Sequence, residues 1–328
     1  MTILVRAAHE VHFASNVEFA SASLALRRFW LDGRSIHLEE HKLGIARGAV
    51  SLLFELKSRH VLSGSVCQLG KQTIHVSKEQ LSAAARKLGF GNIASNVPGK
   101  SVDDQALFHA LGYDTVESLD YSNFENATHI LDFNNPIPDR FHGKYDLVFD
   151  GGTMEHIFNL PESLRNIHKM LKPGGLVIHA SPSSNHVDHG FYMFSPTLFY
   201  DWYTISKFDI VTSYIVEYGM GNPNSRWVVY EYTPGCIDSF SFGGLGSKRL
   251  GIWFVARKLE KSICSAVPQQ GSYLRVWRSA KGETPALNRV QQLKQKIKER
   301  KFLYSLVLVF YVPFRRFFRW MPRVVARY

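Results

Sequence analysis

One stretch, Tyr145–Pro182, constrains the fold more than any other part of this chain. It begins with the apolar run Tyr145–Phe149, which stops at an Asp-Gly-Gly turn, the pattern of a strand covered on both faces in a parallel sheet. An amphipathic helix follows and ends at the turn Lys172–Gly175, before a second apolar run, Leu176–His179, starts. The stretch therefore predicts one right-handed βαβ unit.

Polar side chains follow the predicted strands where each strand ends. Asp150 closes the strand just described, and Glu155 and His156 lie in the loop behind it. Asp120 and Asp132 each close a shorter strand-like run upstream. Because ligands of open parallel sheets bind outside the carboxyl ends of the strands, we expect these five residues at one binding edge.

The order of an acidic strand end, a Glu-His loop and a Leu-Lys-Pro-Gly-Gly turn resembles the second half of class I S-adenosylmethionine-dependent methyltransferases. The resemblance extends more weakly over Ser65–Leu259. It implies an α/β fold: a Rossmann-like, mostly parallel seven-stranded sheet with helices on both faces and an antiparallel edge. It also implies S-adenosyl-L-methionine as the cofactor.

Composition and charge divide the chain into four parts. With 328 residues, 45% of them hydrophobic, the chain is long enough to bury a full core. Residues 289–328 carry 11 of the 39 Lys and Arg and one of the 28 acids, which is nearly all of the net charge of +11. We predict an N-terminal helical extension (1–60), a methyltransferase-like domain (61–259), a linker (260–285) and a basic amphipathic and aromatic tail with helical character (286–328).

The resemblance assigns cofactor contacts to the strand ends. It implies that Gly70 lets the backbone approach the methionine part, that Asp120 accepts the ribose hydroxyls, that Asp132 lies near the adenine, and that Asp150 borders the pocket. From the residues alone, both Asp120 and Asp132 also fit solvated turn formers, and Asp150 fits a turn residue.

The first turn departs from the family pattern. Gln68 stands in the acidic place, Gly70 remains, and Gln72 and Ile74 occupy later glycine places. Glycine serves there because it tolerates positive φ and has no Cβ to block a ligand. Lys71 is predicted to pair with the cofactor's carboxylate, although a solvent-facing lysine fits the same position.

Methyl transfer from a sulfonium needs alignment and, for a protic acceptor, a base. His156, His189 and Glu155 are the predicted catalytic residues, with Glu155 orienting a histidine. A helix cap at His156 and a self-bonded polar loop at His186–His189 are the plainer alternatives. No metal site is predicted, because a third ligand at telling spacing is missing. An Asn-Pro-Pro-Tyr-like signature is absent, which argues against a nucleobase acceptor and leaves carboxyl, hydroxyl or sugar acceptors.

The tail contains an uncharged run, Phe302–Phe314, followed by interleaved Arg and aromatic residues. This run is shorter than the about 20 residues that a membrane-spanning helix needs. It fits a segment lying on an anionic membrane surface. Burial against its own domain or a second copy, and nucleic-acid binding, are weaker alternatives. Three cysteines without metal or redox spacing favour a reducing, cytoplasmic compartment, with peripheral association at the inner face of the membrane.

The sequence thus predicts an S-adenosylmethionine-dependent methyltransferase that acts on a small-molecule, glycan or lipid-linked acceptor at a membrane surface. A non-catalytic scaffold, which keeps the methyltransferase fold without binding cofactor, is the alternative. The oligomeric state is not predicted.

Overall fold

A nine-stranded sheet organises the part of the chain that the computed structural model describes, which is residues 44–91, 97, 101–219, 225–240, 243–280, 300 and 321–328. The extension before residue 44 and most of the predicted tail lie outside these residues. The strands of the chain, in order, are β1 Gly44–Ile45, β2 Gly64–Leu69, β3 Thr73–Ile74, β4 Tyr113–Asp120, β5 His129–Ile130, β6 Tyr145–Asp150, β7 Leu171–Ser184, β8 Asp209–Tyr218, β9 Val228–Glu231, β10 Arg249–Arg257 and β11 Val324–Arg327.

The sheet order is β11-β9-β8-β10-β7-β6-β2-β4-β5, and β1 pairs with β3 in a separate two-stranded parallel sheet. Strands β5, β4, β2, β6 and β7 are parallel to one another. β10 is antiparallel to both β7 and β8, and β9 and β11 continue the antiparallel edge. The predicted class of fold, a mostly parallel sheet with an antiparallel edge, is confirmed.

The predicted number of seven strands is wrong, because β9 and β11 widen the antiparallel edge to give nine. β11 falls in the segment that the sequence assigns to the basic tail. Backbone hydrogen bonds of 3.0 Å in both directions between Trp227 and Tyr328 continue the pairing of β11 with β9. A four-residue strand whose partner lies almost a hundred residues away leaves little signal in local sequence.

Helices cover both faces of the sheet. They are α1 Arg47–Arg59, α2 Lys78–Lys87, α3 Asp104–Leu111, α4 Leu160–Met170, α5 Pro196–Ile205 and α6 Gly271–Ala280. One buried cluster joins α1, α2 and α3 to the sheet, and includes Phe54, Phe108 and Phe149. The cluster on the other face joins α4 and α5 to the sheet, and includes Phe199 and Phe254. These two layers hold the strand ends in place.

Three local features differ from the sequence-based expectations. α4 ends at Met170, and Leu171 already pairs with Tyr145, so the strand begins before the Lys-Pro-Gly-Gly turn. The hydrogen bond from the Gly271 backbone N–H to Asp201 Oδ2, 2.8 Å, joins the start of α6, which lies inside the predicted linker, to α5. Among the described helices, none is both long and apolar enough to cross a membrane.

Candidate functional site

Two cavities open at the carboxyl ends of the parallel strands. The first, called the Asp120 cavity, has a volume of about 290 Å³ and is lined by Leu69, Leu119, Asp120, Tyr121, Leu131, Asp132, Phe133, Asn134, Thr153, His156 and Ile157. The second, called the Glu155 cavity, has a volume of about 170 Å³. Its wall is mostly apolar and includes Ile45, Ala49, Phe149, Val216, Trp227 and Ile252. Its polar lining residues are Glu155, Ser181, His186, His189 and Tyr218.

The two predicted carboxylates of the Asp120 cavity differ in the number of hydrogen bonds that they accept from the protein. Asp120 Oδ1 accepts one long hydrogen bond, 3.3 Å, from the Ser122 backbone N–H. Asp132 accepts three bonds of 2.8–2.9 Å, two from Asn134 and one from the Asn135 side chain. Asp132 therefore shapes its own loop, whereas the Asp120 carboxylate keeps most of its acceptor capacity for a ligand.

The first turn, after β2, approaches the loop after β6 closely. Gly70 has φ of +67°, and a Cβ added there would lie 2.6 Å from Thr153 Oγ1. That hydroxyl donates a 2.6 Å hydrogen bond to the Leu69 carbonyl. Gly70 is thus needed for its backbone conformation and for the close approach. Lys71 lines neither cavity, and its Nζ lies 3.8 Å from Asp104 Oδ1.

Two glutamines stand in the first turn where the family pattern has other residues, and their side chains make different contacts. Gln68 is fully buried, and its amide donates a 2.8 Å hydrogen bond to Asp104 Oδ2. The buried Gln72 donates from Nε2 to the Leu69 carbonyl at 3.1 Å. Its Oε1 has no hydrogen-bond partner within the described part of the chain and abuts Gly151. An unsatisfied acceptor between these two turns suits a ligand that brings an N–H donor.

Asp150 lies at the predicted strand end but is completely buried. Its carboxylate accepts hydrogen bonds from His179 Nδ1 at 2.8 Å and Ser181 Oγ at 3.2 Å, and from the backbone N–H groups of Thr153 and Met154 at 3.0 and 3.2 Å. The carboxylate therefore fixes the loop that carries Glu155, and protein donors use most of its acceptor capacity.

A buried histidine continues this network. His179 Nε2 lies 2.7 Å from the Tyr203 hydroxyl, and the His179 ring stacks on Phe199 with centroids 4.3 Å apart. Burial raises the pKa of the Tyr203 phenol well above its ordinary value, so the hydroxyl stays protonated and donates to Nε2. His179 then donates from Nδ1 to Asp150, and the chain of hydrogen bonds links β6, β7 and α5.

The three predicted catalytic residues lie together. Glu155 and His156 occupy the 3-10 turn Met154–His156, and the rings of His156 and His189 are 5.2 Å apart. Glu155 Oε1 lies 3.7 Å from His189 Nε2, too far for a hydrogen bond. Burial raises the pKa of Glu155 to about 7, although His189 opposes the shift. Burial also lowers the pKa of His156.

This turn separates the two cavities. His156 lines the Asp120 cavity, whereas Glu155 and His189 line the Glu155 cavity. His186 extends the polar cluster, because its Nε2 lies 2.8 Å from the Tyr218 hydroxyl and its ring is 5.8 Å from that of His189. A ligand atom at the boundary between the two cavities would therefore lie close to His156 on one side and to Glu155 and His189 on the other.

A sheet of this order, with a carboxylate at the end of β4 and two cavities at its carboxyl edge, has the ligand-binding edge of an open α/β fold. Residues 76–218 match the family model described as a methyltransferase domain. Residues 76–218 of this chain therefore carry a methyltransferase domain, as the resemblance to class I S-adenosylmethionine-dependent methyltransferases predicts, and the predicted methyltransferase enzyme is confirmed. The match starts at Val76, so the first turn lies outside it.

Among curated proteins, the comparison finds no match. Solved structures with a similar fold include the 1,6-didemethyltoxoflavin-N1-methyltransferase of Burkholderia thailandensis, bound to 1,6-didemethyltoxoflavin and S-adenosylhomocysteine. It is 14% identical, with 77% of this chain and 90% of that chain covered and a TM-score of 0.36. TehB from Haemophilus influenzae is 15% identical over 64% and 62%, with a TM-score of 0.35. An S-adenosylmethionine-dependent methyltransferase from Thermotoga maritima is 13% identical over 69% and 96%, with a TM-score of 0.33.

S-adenosylmethionine is the cofactor of this family, and the residues of the site fit it. The volume of the Asp120 cavity lies near the lower end of the range for ligand pockets, about 300–1,000 Å³. Asp120 would accept the ribose hydroxyls, and the unsatisfied Gln72 Oε1 would accept from the α-ammonium group. Gly70 and Gly151 leave room for the side chains of Thr153 and Gln72, which lie directly against them. The degenerate first turn thus supplies an amide oxygen from a position where the family has a glycine.

Several residues of the site have no clear signal in the sequence. The sequence predicts only a strand at His179, and no pattern singles out Tyr203, Tyr218 or Trp227 as site residues. A histidine inside an apolar strand, opposite Asp150 in register, is the one signal that indicates a buried polar network. The contact between His186, in the loop after β7, and Tyr218, at the end of β8, joins residues far apart in the sequence and has no local pattern.

Proposed function

We propose that this methyltransferase methylates an oxygen atom of a lipid-linked acceptor at a membrane surface. The observation that carries the proposal is the Glu155 cavity. Its wall is mostly apolar, and its polar groups form one cluster that includes Glu155, His189 and His186. A free glycan would leave hydroxyl groups without partners against such a wall, whereas an apolar acceptor with one oxygen near the cluster would not.

Bound S-adenosylmethionine supplies a methyl group on a sulfonium, and the displacement needs no nucleophile from the protein. The residues of the chain therefore position the two reactants. Asp120 holds the donor, and the apolar wall holds the body of the acceptor. Glu155, His156 and His189 orient the acceptor oxygen at the boundary between the cavities and receive its proton. The wall also keeps water away from the reacting atoms.

Cofactor binding is the first test of this proposal, because a non-catalytic scaffold needs no cofactor. We expect S-adenosylhomocysteine to bind the wild-type chain in calorimetric titration. Asp120→Asn should weaken binding by about 10- to 100-fold, because a hydrogen bond to a charged group contributes about 1.5–3 kcal/mol. Asp139→Asn, at a fully exposed carboxylate, is the matched control. No binding by the wild type would favour the scaffold, and equal affinities would remove Asp120 from the site.

Membrane association is the second test. The basic stretch before residue 320 is proposed to bind anionic lipid, as its arginine and aromatic content predicts. We expect the charge reversal Arg315→Glu, Arg316→Glu, Arg319→Glu to abolish co-sedimentation with vesicles that contain phosphatidylserine. Because β11 belongs to the sheet, this triple variant is a cleaner test than truncation of the tail.

The matched control for this experiment reverses three exposed charges of the domain, Arg140, Lys207 and Lys261, to Glu. It has the same net charge as the tail variant. Equal loss of sedimentation in both triple variants would show that only net charge matters, and unchanged sedimentation of the tail variant would contradict the membrane proposal.

A further inference from the structure

The residues between the two cavities form a set of metal ligands. Ligand atoms of Glu155, His156 and His189 all lie within 4.8 Å of one another. We propose that these three residues bind a divalent transition-metal ion of the Zn²⁺ type, although the sequence analysis predicts no metal site. This inference rests on the proposed function, because it names the group that would contact the acceptor oxygen.

The first argument is a buried carboxylate without partners. The Glu155 side chain has no exposed surface, and neither of its oxygens has a hydrogen-bond partner within the described part of the chain. Burial of such a carboxylate is costly unless a cation or several donors satisfy it. A metal ion beside Glu155 would supply the missing positive charge.

The second argument is the chemistry and spacing of the set. Two imidazoles and one carboxylate suit Zn²⁺ or Co²⁺, whereas Ca²⁺ and Mg²⁺ prefer oxygen ligands alone. The 3.7 Å between Glu155 Oε1 and His189 Nε2 is close to the separation of about 3.4 Å expected for two ligands of one tetrahedral ion. Three protein ligands leave a coordination position open for a substrate oxygen.

The third argument is that the backbone holds the two ligand loops together. The Glu155 carbonyl accepts hydrogen bonds from the backbone N–H groups of Phe191 at 2.8 Å and Tyr192 at 3.2 Å. Gly190 permits this contact, because a Cβ added there would lie 2.8 Å from the same carbonyl oxygen. His189 is therefore held against Glu155 by main-chain bonds, which reduces the rearrangement needed to bind an ion.

The position of the set gives the ion a role. It lies where His156 borders the Asp120 cavity and where Glu155 and His189 border the other cavity. The ion would lower the pKa of an acceptor hydroxyl that occupies the open coordination position. With the ion bound, the proton would leave to solvent before methyl transfer, instead of passing to the three side chains that hold the ion. The resulting oxygen anion would lie at the boundary that the methyl group must cross.

Titration with Co²⁺ tests the site without any need for the acceptor. Tag-free full-length protein, treated with a chelator and dialysed, should bind one equivalent of Co²⁺. Binding should give visible d–d absorption, and this absorption should disappear when Zn²⁺ displaces the Co²⁺. Glu155→Gln and His189→Ala should each weaken Co²⁺ binding by about 100-fold or more, because changes even outside the direct ligands cost about 10- to 100-fold. His142→Ala, at a histidine near the exposed Asp139, should bind like the wild type.

The result that would overturn the proposal is a wild-type chain that binds no Co²⁺, or ligand variants that bind it as tightly as His142→Ala does. Circular dichroism of each variant establishes that it is folded. Titration with S-adenosylhomocysteine separates this outcome from failure of the proposed function. If cofactor binding and methyl transfer persist after chelation, only the metal proposal is contradicted. If the chain binds Co²⁺ but no cofactor, the proposed methyl-transfer function is contradicted.

Discussion

Replacement of Asp150 with alanine is expected to lower the free energy of unfolding by about 3–5 kcal/mol, because each buried donor that loses its acceptor costs about 1–3 kcal/mol. The carboxylate is fully buried, and His179 and Ser181 donate to it together with two backbone N–H groups. Alanine would leave these four donors unsatisfied. Urea unfolding of the cofactor-free protein measures the loss.

The same substitution predicts a pH dependence. Burial alone would raise the pKa of Asp150, but the hydrogen bond from His179, with those from the backbone N–H groups of Thr153 and Met154, lowers it below the ordinary 3.8. An acid with a lowered pKa in the folded state stabilises fully above its unfolded pKa. This stabilisation is lost as the pH falls through the lower, folded pKa. The gap between wild type and Asp150→Ala should therefore be largest near neutral pH and narrow below pH 3.8.

Two variants serve as controls for Asp150→Ala. Asp150→Asn should cost less, about 1–2 kcal/mol, because the amide oxygen keeps the backbone donors and His179 can change tautomer to accept from the amide N–H. Asp139→Ala, at a fully exposed carboxylate, should leave stability unchanged. If Asp150→Ala unfolds like Asp139→Ala and only cofactor binding is lost, the carboxylate serves the ligand, as the family resemblance implies, and the structural interpretation is wrong.

Methyl transfer by His189→Ala is expected to be about 10²- to 10⁴-fold slower than by the wild type, the usual contribution of a positioned acid-base group. Its imidazole lies at the boundary of the cavities, 3.7 Å from Glu155 Oε1, where the acceptor oxygen is proposed to lie. Affinity for S-adenosylhomocysteine should not change, because His189 does not line the Asp120 cavity. A loss of rate with intact cofactor binding is the signature of a group that acts on the acceptor.

The measurement is transfer of radiolabel from methyl-labelled S-adenosylmethionine to a detergent-solubilised lipid extract, followed by phase partitioning. Wild-type label in the organic phase supports a lipid-linked acceptor, and label confined to the aqueous phase contradicts it. His142→Ala controls for the loss of an imidazole far from the cavities. If His189→Ala transfers label at the wild-type rate, whichever phase holds the label, this histidine has no part in the reaction.

The sequence was sufficient for the parallel half of the sheet. Strands β4, β5 and β6 lie where apolar runs, polar strand ends and turn residues predict them, because each is defined by local periodicity. Strand β11 was missed, since its four residues pair only with distant β9. Helix α6, within the predicted linker, depends partly on its contact with Asp201, which local pattern does not encode.

The candidate site likewise has a part that local sequence predicts and a part that it does not. The positions of Asp120, Asp150, Glu155 and His156 at this edge could be predicted because they lie at the ends of strands or in the loop that follows one. Their individual environments could not be predicted. Asp120 keeps acceptor capacity while Asp150 is buried among donors, and that difference depends on His179, which comes from a neighbouring strand. Lys71 is an instructive case, because its Nζ lies near Asp104, an acid supplied by α3.

The pairing of β11 with β9 has a thermodynamic consequence for the basic stretch. The described residues on both of its flanks, α6 and β11, contact the folded domain. If the stretch binds vesicles only when its flanks are folded, lipid binding would stabilise the folded domain. The melting temperature would then rise with the logarithm of the lipid concentration. Lipid occupancy and the integrity of the sheet's edge would then be reciprocally linked.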